Sequence, residues 1–267
     1  MKKRIFALLM AVLMISALFA GCAKTDDAAD EAVTFTVGFD AEFPPYGYID
    51  DNGDYDGFDL ALAQEVCDRL GWELVKQPIV WDSKDAELEA GNIDCIWNGF
   101  TKSPERENQY TWTVPYVDNS QVFVVRADSG IATAADLAGK TVMAQAGSSA
   151  LSALEGNAEL TDTFGELLEV ADYNSGFMEL ENGTIDALAM DVGVANYQIA
   201  TRGGGYVVLD EAIASEVYAV GFLLGNTETM YLVQGVLLEM AEDGTMLEIA
   251  EKYVDLGLVI DSLCLLD

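Results

Sequence analysis

The stretch ELEAGNIDCIWNGFTKSPER, Glu87–Arg106, decides the fold, because its first half returns as ELENGTIDALAMDVG, Glu179–Gly193. Each copy opens with Glu-Leu-Glu, the tail of a helix, and passes through a glycine, Gly91 or Gly183, where a left-handed residue closes that helix. An apolar run of strand length follows, Ile93–Trp97 in one copy and Ile185–Met190 in the other, and both read as buried strands. Polar residues stand just past each run: Asn98, Gly99, Thr101 and Arg106 after the first, Asp191 after the second. Ligands of open α/β sheets collect beyond the carboxyl ends of strands, so two such units imply two lobes facing one cleft. One lobe would present a cation and the other an anion.

Upstream, Val33–Phe39 reads as a first strand, and Pro44 and Pro45 force a shaped loop that carries Phe43 and Tyr46. Asn52-Gly53 signals a hairpin turn. Asp50, Asn52 and Asp54 begin a calcium-loop pattern there, but Tyr55 replaces its glycine and Ala61 its final glutamate. Apolar spacing predicts a helix over 58–70 closed by Gly71, a strand over 72–79 and a helix over 83–90 just past Trp81.

Downstream, Ser120–Val125 is strongly β-forming and reads as a crossing between lobes, with Tyr218–Leu224 as the return. Between them strands are expected over 141–145, 166–171 and 206–209, beside the echo strand. Helices are expected over 133–138, from Ser148-Ser149 to Glu155, and over 174–181 and 192–200. Two helices split at Asp243-Gly244 close the chain, with Met230, Val233, Leu237, Met240 and Ala241 as their core-facing stripe.

Half of the 267 residues are apolar, enough for a sizeable core. The charge is lopsided, with 13 Lys and Arg against 46 Asp and Glu, a net −33, and no histidine. Such a chain is repelled by phosphate backbones, so nucleic acid is not an expected partner. Without histidine, a histidine-dependent triad and a His-ligated zinc site are excluded, and neither metal nor cofactor is expected. The acidic residues are scattered rather than massed, which reads as solubility.

Lys2, Lys3 and Arg4 precede an apolar run, Ile5–Phe19, and then Leu18-Phe-Ala-Gly-Cys22. This resembles a bacterial lipoprotein signal, which implies removal of 1–21 and lipid on Cys22. Residues 23–32 are small, polar and acidic, and read as a tether. Cys67 and Cys95 fall on predicted apolar faces, so with Cys264 they are expected to supply neither a catalytic thiol nor a required disulfide.

Several segments in order carry a family resemblance: VGFDAEFPPYGY (Val37–Tyr48), GFDLALA (Gly57–Ala63), the stretch through Arg106, VPY (Val114–Tyr116), DLAGKTV (Asp136–Val142), GSS (Gly147–Ser149), GTIDALAMD (Gly183–Asp191) and EDGTMLEIAEKY (Glu242–Tyr253). From Val33 to about Tyr253 the chain resembles the extracellular solute-binding proteins of polar amino acid ABC transporters. That resemblance implies an α/β fold of the two-lobe periplasmic-binding-protein type II, each lobe a mixed sheet flanked by helices, joined by two hinge crossings. It implies a division into signal peptide 1–21, tether 22–32, lobe 1 over 33–119 plus 220–267, and lobe 2 over 120–219. The protein would be a monomer, lipid-anchored outside the cytoplasmic membrane, with a permease and a free amino acid as partners.

The resemblance also implies roles. Arg106 would pair with the ligand's α-carboxylate, helped by Ser148 and Ser149 at a helix start. Asp191 would take the α-ammonium, assisted by Thr101 and the backbone near Gly99, beside Asn98. Phe43 and Trp81 would sandwich the ligand, and Asp40 would read its side chain. Asp40, Glu42 and the overall charge lean toward a basic amino acid. A neutral polar amino acid or cystine, or a dehydratase-like enzyme using a cleft carboxylate, are the alternatives.

Overall fold

The computed structural model describes residues 33–266; the expected leader, Cys22 and the tether lie outside the described residues. β1 (Thr34–Phe39) sends Phe35, Val37 and Phe39 to one buried face. The proline loop carries β2 (Glu42–Phe43), which joins β3 (Gly47–Ile49) and β4 (Tyr55–Asp56) in a small sheet about the Asn52-Gly53 turn. Asp50 closes that turn by accepting from the Asn52 and Asp54 N–H groups, so its calcium-like spacing serves a hairpin. α1 (Phe58–Leu70) buries Leu62, Ala63, Val66 and Cys67 and ends at a left-handed Gly71.

β5 (Glu73–Pro78) pairs parallel with β1, and a 3-10 turn, Trp81–Ser83, leads into α2 (Lys84–Glu89). β6 (Cys95–Ile96) follows on the other side of β1 and is shorter than the run Ile93–Trp97 suggests. The Asp94 and Trp97 N–H groups still bond to the Thr36 and Gly38 carbonyls, so the whole run stays on β1. A second partner meets only its middle. β7 (Tyr110–Trp112) ends this half.

β8 (Val117–Arg126) is the crossing strand, three residues earlier at its start than its β-forming run indicates. A capping box of Thr133 and Asp136 opens a 3-10 turn, Ala134–Leu137, in place of a short α-helix. Then come β9 (Thr141–Gln145), α3 (Ser149–Glu155), the one-turn α4 (Ala158–Thr161), β10 (Glu166–Val170), α5 (Tyr173–Asn182), β11 (Ala187–Asp191), α6 (Val192–Thr201) and β12 (Tyr206–Val208). The return crossing is two strands rather than one run over 218–224: β13 (Ala214–Tyr218) and β14 (Gly221–Leu223). Between them the Ala219 N–H bonds to the Phe100 carbonyl and the Val220 N–H to the Thr113 hydroxyl, which takes both groups off the ladder. α7 (Thr227–Asp243) and α8 (Thr245–Ala250) close the fold.

Two larger sheets result. One runs β5-β1-β6-β14-β7, and the other runs β10-β9-β11-β8-β12 with β13 also on β8. Both are mixed: β1 is parallel to β5 and β6 while β14 is antiparallel to β6, and β9 is parallel to β10 and β11 while β8 is antiparallel to β11. The second sheet is covered on both faces. Val122, Val124, Leu188 and Met190 join one core, and the alternate residues Phe123, Val125, Ala187 and Ala189 join another. Cys67 and Cys95 are buried as free thiols, and burial pushes the Cys67 thiol up to about 12, which makes it an inert core residue.

Met230, Val233, Leu237 and Met240 of α7 are buried as the stripe requires, together with Val236, while Tyr231 on the same helix is 64% exposed. Leu237→Ala should lower the unfolding free energy by about 2–5 kcal/mol. Tyr231→Ala should change it by less than about 0.5 kcal/mol. Denaturant midpoints of the two variants check the pair.

Candidate functional site

The residues that gather into a site come from strand ends. Asp40 follows β1, Trp81 follows β5, and Asn98 through Arg106 follow β6. From the other sheet, Gln145 ends β9, Ser148 and Ser149 begin α3, and Asp191 ends β11. Eight of the ten expected residues line one small cavity: Phe43, Trp81, Gly99, Thr101, Arg106, Ser148, Ser149 and Asp191, with Gln145 added. The space they enclose is about 10 Å3, near what one water needs. A second, open cavity of about 660 Å3 adjoins it, reaching Lys84, Lys102, Arg106, Ser149 and Glu216.

Asp40 and Asn98 sit behind the lining. Asn98 Oδ1 accepts from the Asp40 N–H at 2.7 Å, and so fixes the backbone of Asp40 rather than facing the cavity. Asp40 Oδ2 accepts from Gln145 Nε2 at 2.6 Å, and its Oδ1 accepts from the Glu42 N–H at 2.9 Å. Burial dominates over these bonds and raises the Asp40 carboxyl to about 6. Gly99 is left-handed, with φ of 53°, and an added Cβ would stand 2.7 Å from the Phe43 ring. Its N–H donates to Asp59 Oδ2 at 2.6 Å. Asp59 is wholly buried, which raises its carboxyl to about 7.

Phe43 and Trp81 face each other with ring planes 10° apart and centroids 6.5 Å apart. A flat group between two rings needs about 7 Å, twice the roughly 3.5 Å carbon contact. Arg106 lies over the Phe100 ring at 5.3 Å and donates to the carbonyls of Gly147 (3.1 Å) and Thr101 (3.4 Å). Among the described residues it has no carboxylate at ion-pair distance. It is therefore not the ordinary surface charge that its polar turn would suggest. Lys84, buried beside it, donates to the same Gly147 carbonyl at 3.2 Å, and desolvation lowers its pKa.

The two serines divide their work. Ser148 Oγ accepts from the Leu151 N–H and caps α3, while Ser149 Oγ lies 3.0 Å from Thr101 Oγ1 and 2.9 Å from Gln121 Nε2. Asp191 stands at the start of α6 yet makes no capping bond. Its Oδ1 accepts from Asn119 (2.8 Å), Gln121 (2.6 Å) and the Tyr218 hydroxyl (2.6 Å), and its Oδ2 from the Tyr173 hydroxyl (3.3 Å). Burial and then the charge of Glu216 push the Asp191 carboxyl well above the usual range.

Sequence reasoning missed Gln145, Asn119, Gln121, Glu216, Tyr173 and Tyr218. Asn119 and Gln121 did carry a signal, since they stand two apart, on one face of the crossing strand, just ahead of its apolar run. Glu216 lies on the part of β13 that precedes the expected return run, and Tyr218, the first residue of that run, ends the strand. No cluster of His, Cys, Asp or Glu among the described residues could hold a metal ion.

The model of the bacterial extracellular solute-binding proteins, family 3, matches residues 35–256. The L-cystine-binding protein TcyJ of Escherichia coli (strain K12) is 30% identical over 255 residues, covering 92% of this chain and 94% of that protein. The crystal structure of an ABC uptake transporter substrate binding protein from Streptococcus pneumoniae with bound histidine has 35% identity and a TM-score of 0.81, covering 85% of this chain and 94% of that one. An ancestral arginine-binding protein bound to arginine has 32% identity and a TM-score of 0.77, covering 82% of this chain and 97% of that one.

Two buried carboxyls raised to about 6 (Asp40) and about 7 (Asp59) make the folded chain hold protons that the unfolded chain releases above pH 4. Their stabilising contribution is full below pH 4 and is lost as pH rises through 6 and 7. Thermal midpoints of the ligand-free protein should therefore fall across that window, and Asp40→Asn should flatten the lower part of the slope.

Proposed function

The chain belongs to the bacterial extracellular solute-binding proteins, family 3, and we propose that it captures a polar L-amino acid between its two lobes for an ABC importer. It is a binding component and not an enzyme, and it works outside the cytoplasm. The carrying observation is the pairing of an arginine that lacks a carboxylate with a buried aspartate that lacks a cation, in one cavity. A zwitterion satisfies both. Arg106 would take the α-carboxylate through its planar fork, with Ser149 donating beside it and Ser148 holding the turn. Asp191 would take the α-ammonium.

Thr101 is better suited to the carboxylate end than to the ammonium, because its hydroxyl already donates to a carboxylate, Glu216, at 2.8 Å. Phe43 and Trp81 stand slightly closer than one flat group between them needs, with Gly99 behind the Phe43 ring, and Asp40, held by Asn98 and Gln145, beyond. Asp40, a buried carboxylate, stands at the side-chain end of the pocket away from Arg106. A ligand with a positive side chain suits that carboxylate, and a guanidinium or imidazole is flat enough to lie between the two rings. This favours a basic amino acid over cystine or a neutral polar one.

Because the enclosed space holds little more than a water, the lobes have to part to admit the ligand and close again over it. We assign 33–119 with 220–267 to one lobe and 120–219 to the other, which the membership of the two sheets supports. Lipid on Cys22, the tether over 23–32, a monomeric state and a permease partner complete the proposal.

A thermal-shift screen of ligand-stripped protein against the proteinogenic amino acids, ornithine and cystine tests it. A ligand at a hundredfold excess over its dissociation constant should stabilise the protein by about 2.7 kcal/mol. Arginine, lysine, ornithine or histidine should give the largest shift. Arg106→Ala and Asp191→Asn should each weaken binding by about a hundredfold or more, since each leaves a desolvated charge unpaired. A flat screen would remove the amino acid reading.

A further inference from the structure

We propose that Glu216 is an internal stand-in for the ligand's carboxylate: it holds the hydroxyls of Thr101 and Ser149, one from each side of the cleft, and an amino acid binds by displacing it. This deepens the amino acid reading above and rests on it. Glu216 stands on β13, the strand that returns to the first sheet. Its Oε1 accepts from Thr101 Oγ1 at 2.8 Å and lies 3.3 Å from Ser149 Oγ. The same oxygen is 2.7 Å from both Asn119 Nδ2 and Gln121 Nε2, amides that also serve Asp191. Four donors thus converge on one carboxylate oxygen, and two of them are hydroxyls that line the small cavity with Arg106.

The arrangement is stable but incomplete. Glu216 does not come within ion-pair distance of Arg106, whose guanidinium donates to the Thr101 and Gly147 carbonyls and lies over the Phe100 ring. A carboxylate that is free to move can meet the hydroxyls and the guanidinium together, which the tethered one does not. Glu216 also lies near Asp191, and its charge helps to raise the Asp191 carboxyl. The adjoining cavity of about 660 Å3, which Glu216 lines, gives the displaced side chain somewhere to go. Glu216 therefore ties the two sides of the cleft together before ligand arrives and takes the hydroxyls back as ligand leaves. It lowers affinity and makes release complete.

Two measurements test this, one of which needs no ligand. Small-angle scattering on ligand-stripped protein should give a larger radius of gyration for Glu216→Ala than for wild type. Titration calorimetry with the amino acid that shifts wild type most should show Glu216→Ala binding about tenfold tighter. Glu216→Gln, which keeps the volume and one acceptor oxygen without the charge, should tighten binding by a smaller factor. Equal or weaker binding by both variants would overturn the proposal, because Glu216 would then be a bystander or a partner of the ligand's cation. If neither wild type nor variant binds any amino acid, the amino acid reading fails, and the scattering decides alone. An unchanged radius then sinks the role of Glu216, and an increase upholds it for another carboxylate ligand.

Discussion

A carboxylate in the interior without a cation is the constraint on which this structure turns. Asp191 is 3% exposed and is kept there by neutral donors alone: two side-chain amides and two tyrosine hydroxyls. Isolated buried charge is costly, and hydrogen bonds from uncharged groups offset only part of it. The fold has to bring those donors from three places. Asn119 and Gln121 come from β8, Tyr218 from β13 and Tyr173 from the start of α5. The crossing strands are therefore not passive connectors, since they carry the groups that hold the charge in place.

A second constraint, on the opposite sheet, is backbone geometry. Asp59 in the first turn of α1 accepts the Gly99 N–H, and Gly99 in its left-handed conformation lets Phe43 close against it. This bond fixes the segment that runs on through Thr101 to Arg106. The hydroxyl and the guanidinium thus inherit their places from a helix that never touches the cavity. Across the cleft, Gln145 bonds to Asp40, Lys84 to Gly147, and Asn174 to Glu42. Each of these joins a segment that precedes β8 to one that follows it.

Local pattern revealed most of the architecture. The helix, left-handed glycine and apolar strand of the repeated unit are local in sequence, and Gly91 and Gly183 both adopt φ of 73°. Eight expected residues share the cavity because strand ends in such sheets point the same way. What was not legible depends on pairing between distant strands. Antiparallel register sets Asn119 opposite Glu216, and Gln121 opposite Ala214. No spacing along the chain announces that juxtaposition, and the apolar run over 218–224 conceals the break at Ala219-Val220. Asp40 and Asn98 illustrate the converse: both lie where the strand ends predict, yet each bonds to its neighbours and stands behind the lining.

The same register has a mechanical meaning. Asn119, Gln121, Glu216 and Tyr218 lie on the two crossing strands, which are the pivot of the hinge motion proposed above, and Thr101 bridges directly to Tyr218. Groups on a pivot travel little while the rims of the lobes travel far. A rearrangement of a few tenths of an ångström at these side chains is thus magnified toward the outer surfaces. The leverage also works in reverse. A modest pull at the rim, such as a docked protein could exert, acts with mechanical advantage on the contacts proposed to hold the ligand.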